Sequence, residues 1–425
     1  MQSASAPPPS STPTPDSSAL ESPAPIAHTP PRLLFPVQSL FPAQNGGPDN
    51  TVYWLTQALR RRGYAPMLVS GSIGLPPEIE RGRWLSTDYG EVIYVDNPHF
   101  YFPINTVWRT LLKLPAADVL HLSLVSYPAA WGPALLNVVV GRSPVFWSVH
   151  GELDPPMLKR SPRKKRAVLA IIRTLLRIGH PKIYFHSTCP AETQYIRDNF
   201  GRGQTVIEIP NYMALPERVT DPTAVLSGSE ELADIEGRFL LFIGRIDPKK
   251  GIDRLLDALV LSERFVASGA VLRVVGDASG PYGKTLRAHA ARLGLDGRVE
   301  FAGHRAGHRK QAMLAAAEAL VMPSQTENFG IVVTEALAQG TPAIASTGTP
   351  WRVLEEYGAG WWCDNTPEAL AAAIDAVLSR SGDAVAAYRE NALRLVRERF
   401  DIDAHVDEWD RAYRMIIDET IAANR

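Results

Sequence analysis

The chain is 425 residues long and close to neutral, with 44 Lys and Arg against 45 Asp and Glu, and 45% of it is apolar. That length exceeds what one hydrophobic core usually serves and predicts two domains. The balanced charge excludes a surface that tracks nucleic acid along its whole length. Cys189 and Cys363 are too far apart for a metal-ligand spacing or a disulfide framework, which predicts a reducing compartment and structural thiols.

Residues 1–31 are rich in Pro, Ser, Ala and Thr and predict a disordered tail, because they cannot bury enough apolar surface to offset the entropy of ordering. No Lys or Arg precedes Arg32 and no apolar run follows Met1, so the expectation is a cytoplasmic protein without a secretory signal. A strand is predicted at Leu33 to Val37, then a glycine-bearing loop. A helix follows from about Thr51 to Arg62, with Val52, Leu55 and Leu59 as its stripe and Gly63 as its stop. Further strands are predicted at Met67 to Ser70, Val92 to Val95, Val119 to His121, Val145 to Val149, Ile183 to His186 and Val206 to Ile209. The uncharged stretch from Val119 to Gly141 is long enough to cross a bilayer, but Pro128 and Pro133 would leave backbone groups unsatisfied in lipid, so it predicts soluble strand, loop and helix.

The polar segment from about Ala214 to Glu236 is expected to divide a first domain, 32–214, from a second, 215–395. Strands at Phe239 to Ile243, Val271 to Val275, Val299 to Phe301, Leu320 to Met322 and Ala343 to Ala345 then alternate with helical periodicity, the rhythm of a doubly wound parallel sheet. Residues 396–425 predict a C-terminal helix that packs back on the first domain.

Two segments carry the chemistry. In Ser324 to Ser346, Glu327 and Glu335 frame a strand-end loop and the start of a helix, with seven residues between them. The N–H groups of Phe329, Gly330, Ile331 and Val332, with the helix dipole behind them, suit a diphosphate. Glu335 suits ribose hydroxyls and Glu327 the hydroxyls of a sugar; two glutamates flanking a helix are equally read as solvated charges. In Phe242 to Leu259, Arg245 and Lys250 leave a strand end where cations neutralise phosphates and meet the charge of a departing nucleoside diphosphate. Alone, each would be an ordinary loop cation. Gly46 and Gly47 before a helix read as a phosphate loop or as a flexible turn. His150 reads as a structural histidine or, beside Gly151, Glu152 and Asp154 at a strand end, as a site residue. Val275, Gly276 and Asp277 open another glycine-containing loop, expected near the nucleobase.

GRIDPKKG at Gly244 to Gly251, the glutamate pair, and Ile209, Pro210 and Asn211 together resemble the retaining glycosyltransferases of family four. The resemblance implies an α/β GT-B fold in which two Rossmann-like domains face a central cleft. It implies that Arg245 and Lys250 bind the donor diphosphate, Glu335 the ribose, Glu327 the donor sugar, Gly46 and Gly47 the phosphates, and that His150 is an active-site histidine. It further implies a nucleotide-sugar donor, a glycan or lipid-linked acceptor, a role in polysaccharide or glycolipid synthesis, and catalysis without a metal or other cofactor. The chain departs from the pattern at Pro48 and Asp49. An epimerase or phosphorylase on the same fold, or a silent sugar-nucleotide binding module, are the alternative readings.

One local charge feature remains. Nine Lys or Arg and no acidic residue lie between Pro155 and Lys182. On a helix, Val168, Leu169, Ile171, Ile172, Leu175 and Leu176 share a face opposite Arg163, Arg166, Arg173 and Arg177. Residues 159–178 therefore predict either weak contact with an anionic membrane at the inner face of the cell membrane, or a core helix with a solvated cationic side.

Overall fold

The computed structural model describes residues 29–43, 47–99, 101–140, 143–159, 162–179, 181–227, 237–423 and 425. Residues 1–28 of the expected tail therefore lie outside the described residues, as does Gly46. Residues from Pro31 onward form one compact unit built on two sheets.

The first half runs β1 (Arg32–Val37), α1 (Gly47–Arg61), β2 (Ala65–Gly71), β3 (Trp84–Thr87), β4 (Gly90–Val95), α2 (Ile104–Lys113), β5 (Val119–Ser123), α3 (Pro128–Val140) and β6 (Val145–Ser148). It continues with α4 (Pro155–Leu158), α5 (Pro162–Ile178), β7 (Ile183–Ser187), α6 (Pro190–Phe200) and β8 (Val206–Glu208). The strands form an eight-stranded sheet in the order β3-β4-β2-β1-β5-β6-β7-β8, parallel except for the antiparallel edge strand β3. The uncharged stretch from Val119 is β5 and α3, as its prolines require, and no helix among the described residues is long and apolar enough to cross a membrane.

The second half runs α7 (Pro222–Ser227), β9 (Phe239–Ile243), α8 (Ile252–Leu261), α9 (Glu263–Ala267), β10 (Val271–Val275), α10 (Pro281–Arg292), β11 (Val299–Gly303), α11 (Gly307–Ala316), β12 (Ala319–Met322) and α12 (Ile331–Ala338). After these come β13 (Ala343–Ser346), α13 (Val353–Tyr357), β14 (Gly360–Cys363), α14 (Pro367–Leu378), α15 (Gly382–Arg399) and α16 (Ile402–Ala423). Its sheet is parallel throughout, in the order β11-β10-β9-β12-β13-β14. The strands read as short branched apolar runs because both faces are covered: Leu240, Leu241, Leu272, Val274, Leu320 and Ile344 are fully buried.

The chain returns to the first sheet at its end. Met213 donates its N–H to the Phe400 carbonyl at 3.0 Å and accepts from the Ile402 N–H at 3.0 Å, so the outgoing and returning segments pair where they cross. Helix α16 then lays Val406, Trp409, Tyr413 and Ile416 into the core that also holds Leu33, Phe35, Val52 and Leu55. Tyr64 donates to Asp410 at 2.7 Å, and Tyr184 donates to Glu419 at 2.7 Å, holding α16 along its length. Helix α5 buries Leu169, Ile172 and Leu175 in the core on the opposite face of this sheet. Its apolar face is therefore already occupied by protein, and what it offers outward is cationic. Arg160 of the basic segment lies outside the described residues.

Candidate active site

In an open parallel sheet, ligands bind beyond the carboxyl ends of the strands where the strand order reverses. That point falls between β1 and β5 in one sheet and between β9 and β12 in the other. The segments leaving these four strands carry most of the residues singled out from sequence, and the fold turns them toward one another. Gly47, the first residue of α1, sits so close to Ile331, the first residue of α12, that a Cβ on Gly47 would lie 3.3 Å from the Ile331 Cδ1. Gly151 stands against Asn328, with 2.8 Å from an added Cβ to the amide, and Asp154 hydrogen-bonds Thr326. Arg245 acts on the Tyr127 phenol of the facing half.

On the second half, Gly330 caps α12 in the left-handed region at φ 84°, and a side chain there would strike Met322 Sδ at 2.7 Å. The turn it makes leaves the first N–H groups of α12, at Ile331 and Val332, without acceptors inside the helix and with the dipole behind them. Phe329 packs tilted against Trp351 and edge-to-face against Phe400, with ring centroids at 5.3 and 5.6 Å, which fixes the loop below the helix start. Lys250 ends a short 3-10 turn, Pro248–Lys250, and donates to Glu327 at 2.5 Å. Glu335 is buried one turn into α12 and accepts from Lys310 of α11 at 2.5 Å. Arg245 is exposed in the loop after β9. The arrangement holds three cations, two carboxylates and a helix N-terminus around the end of β9 and β12, a set suited to an anionic group with hydroxyls attached.

On the first half, His150 adopts a left-handed conformation, φ 51°, that costs a residue with a side chain about 1 kcal/mol or more and is found where a loop is over-determined. Glu192 supplies the constraint: buried itself, it accepts from the Gly151 N–H and from the Thr188 N–H and hydroxyl at 2.6 and 2.8 Å. Glu152 accepts from the N–H groups of Val125 and Ser126 in the loop that leaves β5. Burial and the neighbouring His186 push the His150 imidazole down to about 3, so it stands neutral. The His186 ring lies 6.2 Å from it, edge to face. Pro48 and Asp49 belong to the first turn of α1, where Asp49 accepts from Ser39 and burial raises its carboxyl to about 6.

Beneath His150 runs a chain of buried hydrogen bonds whose direction is set by its end. The Ile209 carbonyl only accepts, so His186 Nε2 carries a hydrogen and donates to it at 2.8 Å. His186 Nδ1 then accepts from the Ser148 hydroxyl at 2.8 Å, whose oxygen accepts from His121 Nε2 at 2.8 Å. His121 Nδ1 accepts from Tyr413 at 2.5 Å. Burial lowers both imidazoles, His186 to about 4, in keeping with two neutral rings. The chain ties α16 to the strand ends that carry His150 and Ile209. Lys310, Tyr127, Glu192 and this relay are absent from the sequence reading. Apart from the Glu192 contacts with Thr188, they pair with partners 23 or more residues away, a distance at which no local spacing signals them. Thr326 and Asn328 lie inside the motif already read and gain meaning only from the facing half.

Two family models match consecutive parts of the sequence: that of the family four glycosyltransferases over residues 45–212, and that of the group 1 glycosyl transferases over residues 229–394. The chain belongs to the group 1, family four glycosyltransferases. It is similar to the D-inositol 3-phosphate glycosyltransferase of Streptomyces griseus, 40% identical over 167 residues that make up 36% of this chain and 35% of that one. It is also similar to the phosphatidyl-myo-inositol mannosyltransferase of Mycobacterium leprae, 28% identical over 71% of this chain and 75% of that one. The chain spans less than half the length of the first curated relatives it matches. In fold this family member resembles the Anabaena protein HepE, solved in complex with UDP-glucose, with a TM-score of 0.67 at 19% identity over 92% of this chain and 99% of that one. The fold is thus GT-B, two Rossmann-like parallel-sheet halves facing a cleft.

Proposed function

We propose that the protein is a retaining glycosyltransferase that moves a hexose from a nucleoside diphosphate sugar to a glycan or lipid-linked acceptor. The observation that carries the reading is the meeting of the start of α1 with the start of α12 beside Arg245 and Lys250, at the strand-order reversal of both sheets. A diphosphate bridging the two helix starts would be met by N–H groups and by both cations. Glu335, held by Lys310, would accept hydrogen bonds from ribose hydroxyls. The binding of UDP-glucose by HepE supports such a donor.

Chemistry follows from where charge develops. As the bond from sugar to phosphate breaks, the departing diphosphate gathers negative charge, and preorganised cations lower the barrier most at that stage. Lys250 is paired with Glu327 at rest and would turn part of its charge to the phosphate, leaving Glu327 to hold sugar hydroxyls on the face opposite His150. A neutral His150 supplies one donor and one acceptor to the sugar and adds no positive charge that would compete for the leaving group. No side chain here is an obvious nucleophile, so the acceptor hydroxyl would attack from the leaving-group side and pass its proton to a phosphate oxygen. In this reading side-chain cations do the work for which other transferases use a metal. Incubation with UDP-, GDP- and ADP-sugars tests it: sugar release from one donor, with the anomeric configuration kept in the product, is expected. Inversion, or release from none of them, would contradict it.

A further inference from the structure

The chain departs from the family pattern at Pro48 and Asp49, and neither is used by the donor site proposed above. Proline at the second position of α1 removes one N–H from the helix start, and a carboxylate one residue on would repel a diphosphate that met it. The carboxylate is engaged elsewhere. Ser39, 4% exposed, donates its hydroxyl to Asp49, and the carboxyl lines a small cavity with Gln38, Val52, Ser123, Leu124 and Tyr127. Every residue that lines it belongs to the first half. About 10 Å³ is free there for the centre of one water or hydroxyl oxygen. Ser123 Oγ is buried and finds no hydrogen-bond partner among the described residues, a state that costs about 1–3 kcal/mol unless a water or ligand supplies one.

One wall of the cavity is held under strain. Leu124 adopts a left-handed conformation, φ 68°, at a cost of about 1 kcal/mol or more. Trp147 Nε1 donates to its carbonyl at 2.8 Å, its own N–H donates to the Ser148 carbonyl at 2.9 Å, and Glu152 takes the next two N–H groups. The loop so fixed carries Tyr127. Burial raises the Tyr127 phenol, Glu152, Asp49 and Tyr101 raise it further, and Arg245 of the second half opposes them, so this wall is shared with the cleft. A hydroxyl is the group that satisfies both polar sides of the cavity, since it donates to the Asp49 carboxylate and accepts from the Ser123 hydroxyl. We propose that Asp49 is a specificity-determining residue, which with Ser123 receives one hydroxyl of the acceptor in this cavity and so holds the acceptor beside the donor sugar. The attacking proton still leaves on a phosphate oxygen. A carboxylate binds a hydroxyl through a charge-assisted bond and repels a phosphate or a second carboxylate. The acceptor is therefore a polyol that presents a hydroxyl, not an anionic group, next to its reacting oxygen. This role rests on the donor site proposed above, since only a donor held at Arg245 brings its sugar to the cavity.

The test follows transfer by the full chain from the donor that wild type cleaves to myo-inositol, methyl α-glucoside and methyl α-mannoside. Asp49→Asn keeps an acceptor for Ser39 but loses the charge, and should raise the KM of the polyol that is used at least about tenfold, with nucleotide affinity in calorimetry unchanged. Burial raises the Asp49 carboxyl to about 6. The wild-type KM should therefore be low above that value and rise about tenfold between pH 7 and pH 5, as the charge is lost. Asp49→Asn should show no such rise, and Asp49→Glu, which keeps a carboxylate, should retain it. Tyr127, with Glu152, Tyr101 and Arg245 around it, is common to all three proteins, so the difference between the profiles belongs to position 49. An Asp49→Asn protein with the wild-type KM and pH profile would overturn the proposal and leave the cavity to a structural water. So would a wild type that hydrolyses its donor yet uses none of the three polyols. Wild type that binds no nucleotide would overturn the donor site, and this role with it.

Discussion

His186→Gln isolates one buried titration. Glutamine retains a donor for the Ile209 carbonyl and an acceptor for the Ser148 hydroxyl but cannot take a proton near neutral pH. In the folded protein burial lowers His186 from 6.5 to about 4. The unfolded chain therefore binds the extra proton first as pH falls, and the associated stability is intact above the unfolded value and lost as pH drops toward the folded one. For a shift of this size the loss between pH 7 and pH 5 is about 2 kcal/mol, and it reaches about 3 kcal/mol below both values. His121 and His150 are lowered in the same direction, first by burial, which the variant keeps, and second by His186, which it removes, so their loss adds to the difference with the same sign; Asp49, raised to about 6, acts in the opposite direction in both proteins. Urea unfolding of both proteins at a series of pH values measures the difference. Wild type should lose about 2 kcal/mol more than His186→Gln over that interval. Parallel profiles would refute the neutral relay and the tautomers assigned along it.

Further outcomes follow from the cleft. Arg245→Ala or Lys250→Ala should slow turnover by at least about a hundredfold, close to 3 kcal/mol of barrier, with circular dichroism unchanged, as steady-state kinetics would measure. Glu335→Gln should weaken free nucleotide binding in calorimetry, because ribose contacts form in ground and transition states alike. Glu327→Gln should lower kcat with nucleotide affinity nearly intact, and equal affinity losses in the two variants would contradict the division of roles.

The alternation of the two halves was legible because parallel strands covered on both faces read as unbroken apolar runs, as in Phe239–Ile243 and Val271–Val275. Edge strands break that rule. Trp84–Thr87 is short, antiparallel and only partly buried, and Gly360–Cys363 is four residues at the other sheet's margin, so neither shows the pattern. Helix α2 went unread in the same way, since its exposed Ile, Trp and Leu do not mark the core side. The basic helix was legible as amphipathic, but periodicity is the same whether Leu169 and Ile172 meet lipid or a sheet, and packing decides for the sheet. Arg245, Lys250, Glu327 and Glu335 stood out because each follows a strand end. The pairing of Lys250 with Glu327 depends on β9 lying beside β12, and that of Lys310 with Glu335 on α11 packing against α12, neither of which local spacing encodes.

Calorimetric titration of wild type, Lys250→Ala and Glu335→Gln with free UDP, GDP and ADP tests the donor site most directly. One nucleoside diphosphate should bind wild type, and both variants should bind it at least about tenfold more weakly, a difference of about 1.4 kcal/mol. Wild type that binds none of the three, or variants that bind as tightly as wild type, would contradict a nucleotide-sugar site between these two sheets.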